Sequence, residues 1–241
     1  MTTRSRLIVG ALALVFLAAP VDQALAGPIG DTGVFWQTRQ ANRYAGSGGE
    51  FTAFDYTGLS NAGYAAAASD IGAYDPSFQT FCIETGEFTS NPLYFVIGSA
   101  AVMGGTTGSS DPLSQGTAWL YSQFAAGSLA GYNYGTSASA GLLQDAFWML
   151  ESEFTPNLAN IFYSAALLNG GAADASAGYL GVYALINFDT AAHRDAFVTT
   201  GATDGLKQDF LYTTVPDGGT TLMLLGGALM GLGALRRKFN A

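Results

Sequence analysis

An apolar run at each end of the chain confines whatever folds in water to the residues between them. At the N-terminus, Arg4 and Arg6 precede "LIVGALALVFLAA" (residues 7–19), and the site "ALA" follows, with small residues at Ala24 and Ala26. Charge, short apolar segment and small-residue site together predict a secretory signal peptide over residues 1–26, cut by signal peptidase near Gly27. A permanent anchor fits poorly: a 13-residue helix spans only about 20 Å of a roughly 30 Å hydrocarbon core.

The C-terminus reads "VPDGGTTLMLLGGALMGLGALRRKFNA". Residues 220–235 carry no charge, and Arg236, Arg237 and Lys238 follow at once. That polarity predicts a single transmembrane helix whose basic end stays cytoplasmic, with the body outside the inner membrane. Sixteen residues fall slightly below the roughly 17 to 25 of an ordinary span, which fits a transient anchor. Gly226, Gly227, Gly231 and Gly233 weaken the helix and give it a small-residue face.

A Val-Pro-Asp box, an apolar helix and a terminal basic cluster resemble the PEP-CTERM type of sorting tail, most of all its VPDSG variant. Val215, Pro216, Asp217 and Gly219 match that box, with Gly218 standing in the serine position. The resemblance implies recognition by an exosortase-type membrane protease and delivery to the cell surface or an extracellular matrix. It concerns only residues 215–241 and gives an address rather than a chemistry.

The segment left, residues 27–214, is long enough for one domain with a full core. Up to Pro216 its basic residues are Arg39, Arg43, Arg194 and Lys207, four against sixteen acidic ones, for a net charge of −12. An acidic body without a basic patch argues against nucleic-acid binding, because phosphate neutralisation needs clustered Lys and Arg. It equally disfavours adsorption of the body to anionic lipid.

Strand signals come first: "GEFTAFDYT" (residues 49–57), "SFQTFCIETGEF" (77–88) and "LYFVIGSAAVM" (93–103). If the second is extended, Phe78, Thr80 and Cys82 share one face and Gln79, Phe81 and Ile83 the other. A helical block follows. "DPLSQGTAWLYSQFAAG" carries Asp111 as a candidate cap and Pro112 for the first turn, while "SASAGLLQDAFWMLESEF" and "NLANIFYSAALLNGG" show helical spacing. "GYLGVYALINF" and "QDFLYTTV" return to strand patterning. Strands, then helices, then strands predict an α+β fold: an antiparallel sheet with a helical insertion.

Metal and hydrolase chemistry find little support in the residue types. One Cys and one His, Cys82 and His193, cannot build a Cys/His zinc cage. "DTAAHRD" brings Asp189, His193 and Asp195 together, but no EF-hand spacing accompanies them, so they read as solvated loop charges. The paired acids Glu84 with Glu87 and Glu151 with Glu153 likewise read as surface charges, since a glycosidase needs carboxylates facing across a cleft. No metal and no cofactor is expected. A Cys82/His193 hydrolase would need a third group orienting the imidazole, and no local nucleophile signature surrounds Cys82.

One pair of segments remains. In "TFCIE" an aromatic residue directly precedes Cys82, and "LQDAFW" (residues 143–148) places Gln144 two residues before the small Ala146, which Phe147 and Trp148 follow. These segments resemble the motifs of bacterial surface thioester domains. The resemblance implies that Cys82 supplies the sulfur and Gln144 the acyl carbon of an internal thioester open to attack by an amine. The alternative is a small buried hydrophobe at Cys82 and an ordinary core helix around Gln144. The expectation is therefore an exported, non-enzymatic surface or matrix protein with a structural or adhesive role. A thioester adhesin is the alternative, with an amine-bearing target or a surface polysaccharide as partner; an envelope hydrolase is a further one.

Overall fold

Side chains alternating between two buried faces organise the chain around one curled antiparallel sheet. The structure, a computed structural model, describes residues 29–45, 48–59, 77–102 and 110–214. Its strands are β1 (Thr32–Ala45), β2 (Gly48–Thr57), β3 (Ser77–Thr80), β4 (Leu93–Gly98), β5 (Ala100–Ala101), β6 (Asp111–Pro112), β7 (Val182–Phe188) and β8 (Leu206–Thr213). Six of them form a sheet in the order β3-β2-β1-β4-β7-β8, every neighbouring pair antiparallel, while β5 and β6 make a separate two-stranded ribbon. Helices α1 (Gln115–Ala125), α2 (Ser137–Leu150) and α3 (Ile161–Leu167) separate β6 from β7, and α4 (Ala191–Thr200) joins β7 to β8.

The sheet curls until its two edges meet. Beyond β3 the chain runs on beside β8: Cys82 bridges Phe210, the Leu211 amide donates to the Phe81 carbonyl at 3.0 Å, and the Ile83 amide donates to the Asp209 carbonyl at 3.0 Å. The period of two then sorts side chains between faces. Phe78, Cys82, Tyr183, Leu185, Phe210 and Tyr212 enter the inner core with Phe35, Phe51 and Phe95, whereas Phe81, Ile83, Val182, Ala184 and Leu211 face the helices. Inner aromatics meet edge to face, Phe51 and Phe210 at 5.0 Å between centroids. Fully burying each such ring contributes roughly 1.5–3 kcal/mol.

The α+β class, with helices between the strands of an antiparallel sheet, is as expected, and so are the two faces of residues 78–83. Three local readings are corrected. Asp111 and Pro112 form β6, not a helix start, because the hydroxyl of Ser114 accepts from the Thr117 amide and caps α1 three residues later. The segment around His193 is helix α4, not loop, since Thr190 caps it by accepting from the His193 amide. Strand β4 stops at Gly98, where an added Cβ would stand 2.6 Å from Ile186 Cδ1. Strand β1 had no sequence signal: its pairing with β2 shifts register between Arg39 and Tyr44, which breaks the alternation a strand reading looks for.

The predicted signal peptide and C-terminal span lie outside the described residues. Among the described residues no helix is long and apolar enough to cross a membrane.

Candidate functional site

Cys82 sits where the curled sheet closes, and α2 brings Gln144 to it from 62 residues away. The α2 face carrying Leu143, Ala146, Phe147 and Leu150 packs into the outer core. Gln144 and Trp148, four residues apart, then point together toward the start of β2, where a Cβ on Gly48 would stand 2.2 Å from Gln144 Cγ and 2.7 Å from Trp148 Cη2. Only a residue without a side chain leaves this space to them.

The carboxamide of Gln144 reads the Cys82 backbone from both sides. Its Oε1 accepts from the Cys82 amide at 3.0 Å and its Nε2 donates to the Cys82 carbonyl at 2.8 Å, with both residues buried. The two residues that the motifs single out are thus direct partners. His193 is not: it lies on α4, its Nδ1 is 2.6 Å from Asp189 Oδ1, and it is not among the residues that line the space beside Cys82.

That space is an open cleft of about 450 Å³ with Cys82 in its wall. Arg39, Tyr44, Trp148, Phe154 and Phe88 supply cation and aromatic surface, and Glu84 and Glu87 supply acid. Arg39 lies over the Tyr44 ring at 4.7 Å, and the Trp148 and Phe154 rings stand 4.9 Å apart. The buried Trp148 Nε1 has no hydrogen-bond acceptor, and Phe88 is 86% exposed. Burial pushes the Cys82 thiol up; the Arg39 guanidinium opposes this, and the charge of Glu87 adds to it. The resting group is therefore the thiol, with a cation beside it that favours the thiolate.

Glu84, Glu87 and Asp209 converge behind the cleft, one ligand oxygen from each lying within 4.8 Å of the others. The surface reading of Glu84 and Glu151 is corrected here, as both are buried. Glu84 is carried inward because its chain segment continues along β8, and Glu151 because its Oε1 accepts from the Ser114 amide at 3.1 Å. The Asp209 carboxylate accepts from the amides of Asn187 and Val102, and Glu87 Oε2 accepts from the Asp209 amide at 3.2 Å. Burial, then the charges of Asp209 and Glu87, push the Glu84 carboxyl up to about 10. Burial likewise raises Glu87 and Asp209. A sequence cannot announce such a cluster, since Asp209 lies on β8, 122 residues beyond Glu87; only the Glu84/Glu87 spacing hinted at it.

Comparison with known proteins bears on the end of the chain. Residues 214–239 match the VPDSG-CTERM motif. The chain carries a VPDSG-CTERM sorting tail. Val215, Pro216, Asp217, Gly218, Gly219 and the basic cluster Arg236, Arg237 and Lys238 fall within the matched segment, which lies almost wholly outside the described residues. A VPDSG-CTERM tail suggests an exported, membrane-associated protein and is consistent with processing by an exosortase-type membrane protease. No curated protein and no solved structure matches the chain at a significant level.

Proposed function

We propose that this protein is displayed at the cell surface or in an extracellular matrix, and that Cys82 and Gln144 form an internal thioester through which it attaches covalently to amines. The observation that carries the reading is the pairing of the Gln144 carboxamide with Cys82 at the edge of a cleft.

The chemistry follows from that placement. Cys82 Sγ attacks Gln144 Cδ, the C–S bond forms, the C–N bond breaks, and Nε2 leaves as ammonia with the thiol proton. Charge developing on Oε1 faces the Cys82 amide that already donates to it, so the donor is in place before reaction. The Arg39 charge partly opposes the burial that keeps the sulfur protonated, which helps the sulfur both as attacker and later as leaving group. An amine entering the cleft then attacks Cδ, the C–S bond breaks, and the released proton returns to Cys82 as an amide forms. The step occurs once per molecule, in keeping with an adhesive rather than a turnover role. With one cysteine in the chain, no second thiol competes for such a bond by disulfide exchange.

The test is the intact mass of the exported protein before and after methylamine, with Cys82→Ala in parallel. A deficit of one ammonia that vanishes in the variant, replaced by a methylamine adduct and one new thiol, is the expected result. Full mass with a free thiol overturns it and makes Gln144 a buried brace for the Cys82 backbone. Surface delivery is read separately: the C-terminal peptide of surface-extracted protein is expected to lack the basic cluster.

A further inference from the structure

We propose that Glu84, Glu87 and Asp209 bind a calcium ion beside Cys82, at the seam where the sheet closes. Three carboxylates converge there. Glu84 is only 2% exposed, and its oxygens meet no N–H or hydroxyl donor among the described residues; the neighbour its carboxyl faces is another acid, Glu87. A buried carboxylate lacking any donor is costly unless a cation or a proton compensates it. Among the described residues, none of the ion pairs reaches any of the three acids. Lys207 acts on Glu87 only through its field.

The donor set selects the ion. All three ligands are carboxylate oxygens, which suit hard cations rather than zinc. Calcium–oxygen distances of about 2.3–2.6 Å place oxygens on opposite sides of the ion up to about 5 Å apart. A set within 4.8 Å therefore closes around calcium with little movement, whereas magnesium draws its ligands nearer. Calcium's remaining positions are filled from the cleft, which Glu84 and Glu87 line and which admits water.

The site has a structural consequence. Glu84 and Glu87 belong to the segment leaving Cys82, and Asp209 belongs to β8, whose Phe210 bridges Cys82. One ion therefore ties both edges of the sheet together and fixes the chain on either side of the cysteine. Millimolar extracellular calcium would fill a site of the affinity usual for secreted modules, about 10⁻⁴–10⁻³ M. The inference stands whether or not the thioester forms.

The experiment is thermal unfolding of the full chain, stripped with chelator and titrated with calcium chloride or magnesium chloride, beside a Glu84→Gln/Glu87→Gln variant. Both substitutions remove charge and keep shape, while Asp209 stays because it holds two backbone amides. Calcium at about 100 times its dissociation constant is expected to raise Tm by about 5–10 °C, with magnesium giving far less. The variant should melt without calcium at or above the stripped wild type and show no calcium response. No calcium response in the wild type, an equal magnesium response, or a calcium response retained by a folded variant would each overturn the assignment. A variant that fails to fold is replaced by Glu87→Gln alone, whose calcium midpoint must move at least tenfold higher.

Discussion

Gly48 at the start of β2 touches the side chain of Gln144 so closely that a Cβ would lie 2.2 Å from Cγ. Gly48→Ala must therefore push Gln144 and Trp148 away from the Cys82 backbone. Overpacking of this kind costs about 1–3 kcal/mol. Denaturant unfolding is expected to show that loss, and the yield of methylamine adduct is expected to fall with it. An unchanged midpoint would mean that α2 shifts freely against β2.

Gln144→Ala leaves the buried amide and carbonyl of Cys82 without their partners. Each unsatisfied group costs about 1–3 kcal/mol. Gln144→Glu keeps an acceptor for the amide but loses the donor to the carbonyl and has no nitrogen to release. It should retain more stability than Gln144→Ala while giving no ammonia deficit, so melting and mass report the two roles separately.

Arg43 and Glu50 form a buried ion pair at 2.8 Å, and Tyr132 donates to the second oxygen of Glu50. Both charged side chains are essentially inaccessible to solvent. Removing one partner of such a pair typically costs about 3–5 kcal/mol, since the other charge stays buried. Glu50→Gln is expected to lower stability by about 3 kcal/mol, and Tyr132→Phe by less because it removes no charge. Urea midpoints of the two variants check the order.

Glu151 gives the fold a pH dependence. Burial, opposed by hydrogen bonds from Thr117 and Ser114 and helped by the charge of Asp111, pushes its carboxyl from 4.5 up to about 7. Between these values the folded chain holds a proton that the unfolded chain has lost. The contribution is therefore complete below pH 4.5 and disappears as pH rises through about 7. Its size is about 3 kcal/mol. Glu151→Gln keeps an acceptor for the Ser114 amide and does not titrate, so its urea midpoint should fall less than that of the wild type between about pH 5 and pH 8. Parallel curves would sink this account.

Calcium leaves a trace at Trp148, which lines the cleft together with Glu84 and Glu87. Ion binding is expected to change Trp148 emission in the wild type and leave it unchanged in Glu84→Gln/Glu87→Gln. Trp148→Phe identifies the signal among the three tryptophans.

The sorting tail was legible in the sequence because such tails are read locally: the Val215–Pro216–Asp217 box, an uncharged run and a basic cluster need no fold to be recognised. The fold class was legible for a related reason. Alternation in residues 78–83 and helical spacing in "LLQDAFWML" reflect which faces must leave water. Strand β1 escaped because a register shift breaks its period, and Asp111–Pro112 misled because the true cap lies three residues on.

By itself the sequence determined the VPDSG-CTERM sorting tail, the α+β class and the residue types from which a Cys82/Gln144 pair could be drawn. Only the tertiary structure decided that these two meet, because contact across 62 residues depends on α2 packing over Gly48. It also turned Glu84 from a surface acid into a buried one and set Asp209 beside it. Such long-range placement follows from curling the sheet until β3 and β8 join, and no local window of residues contains that closure.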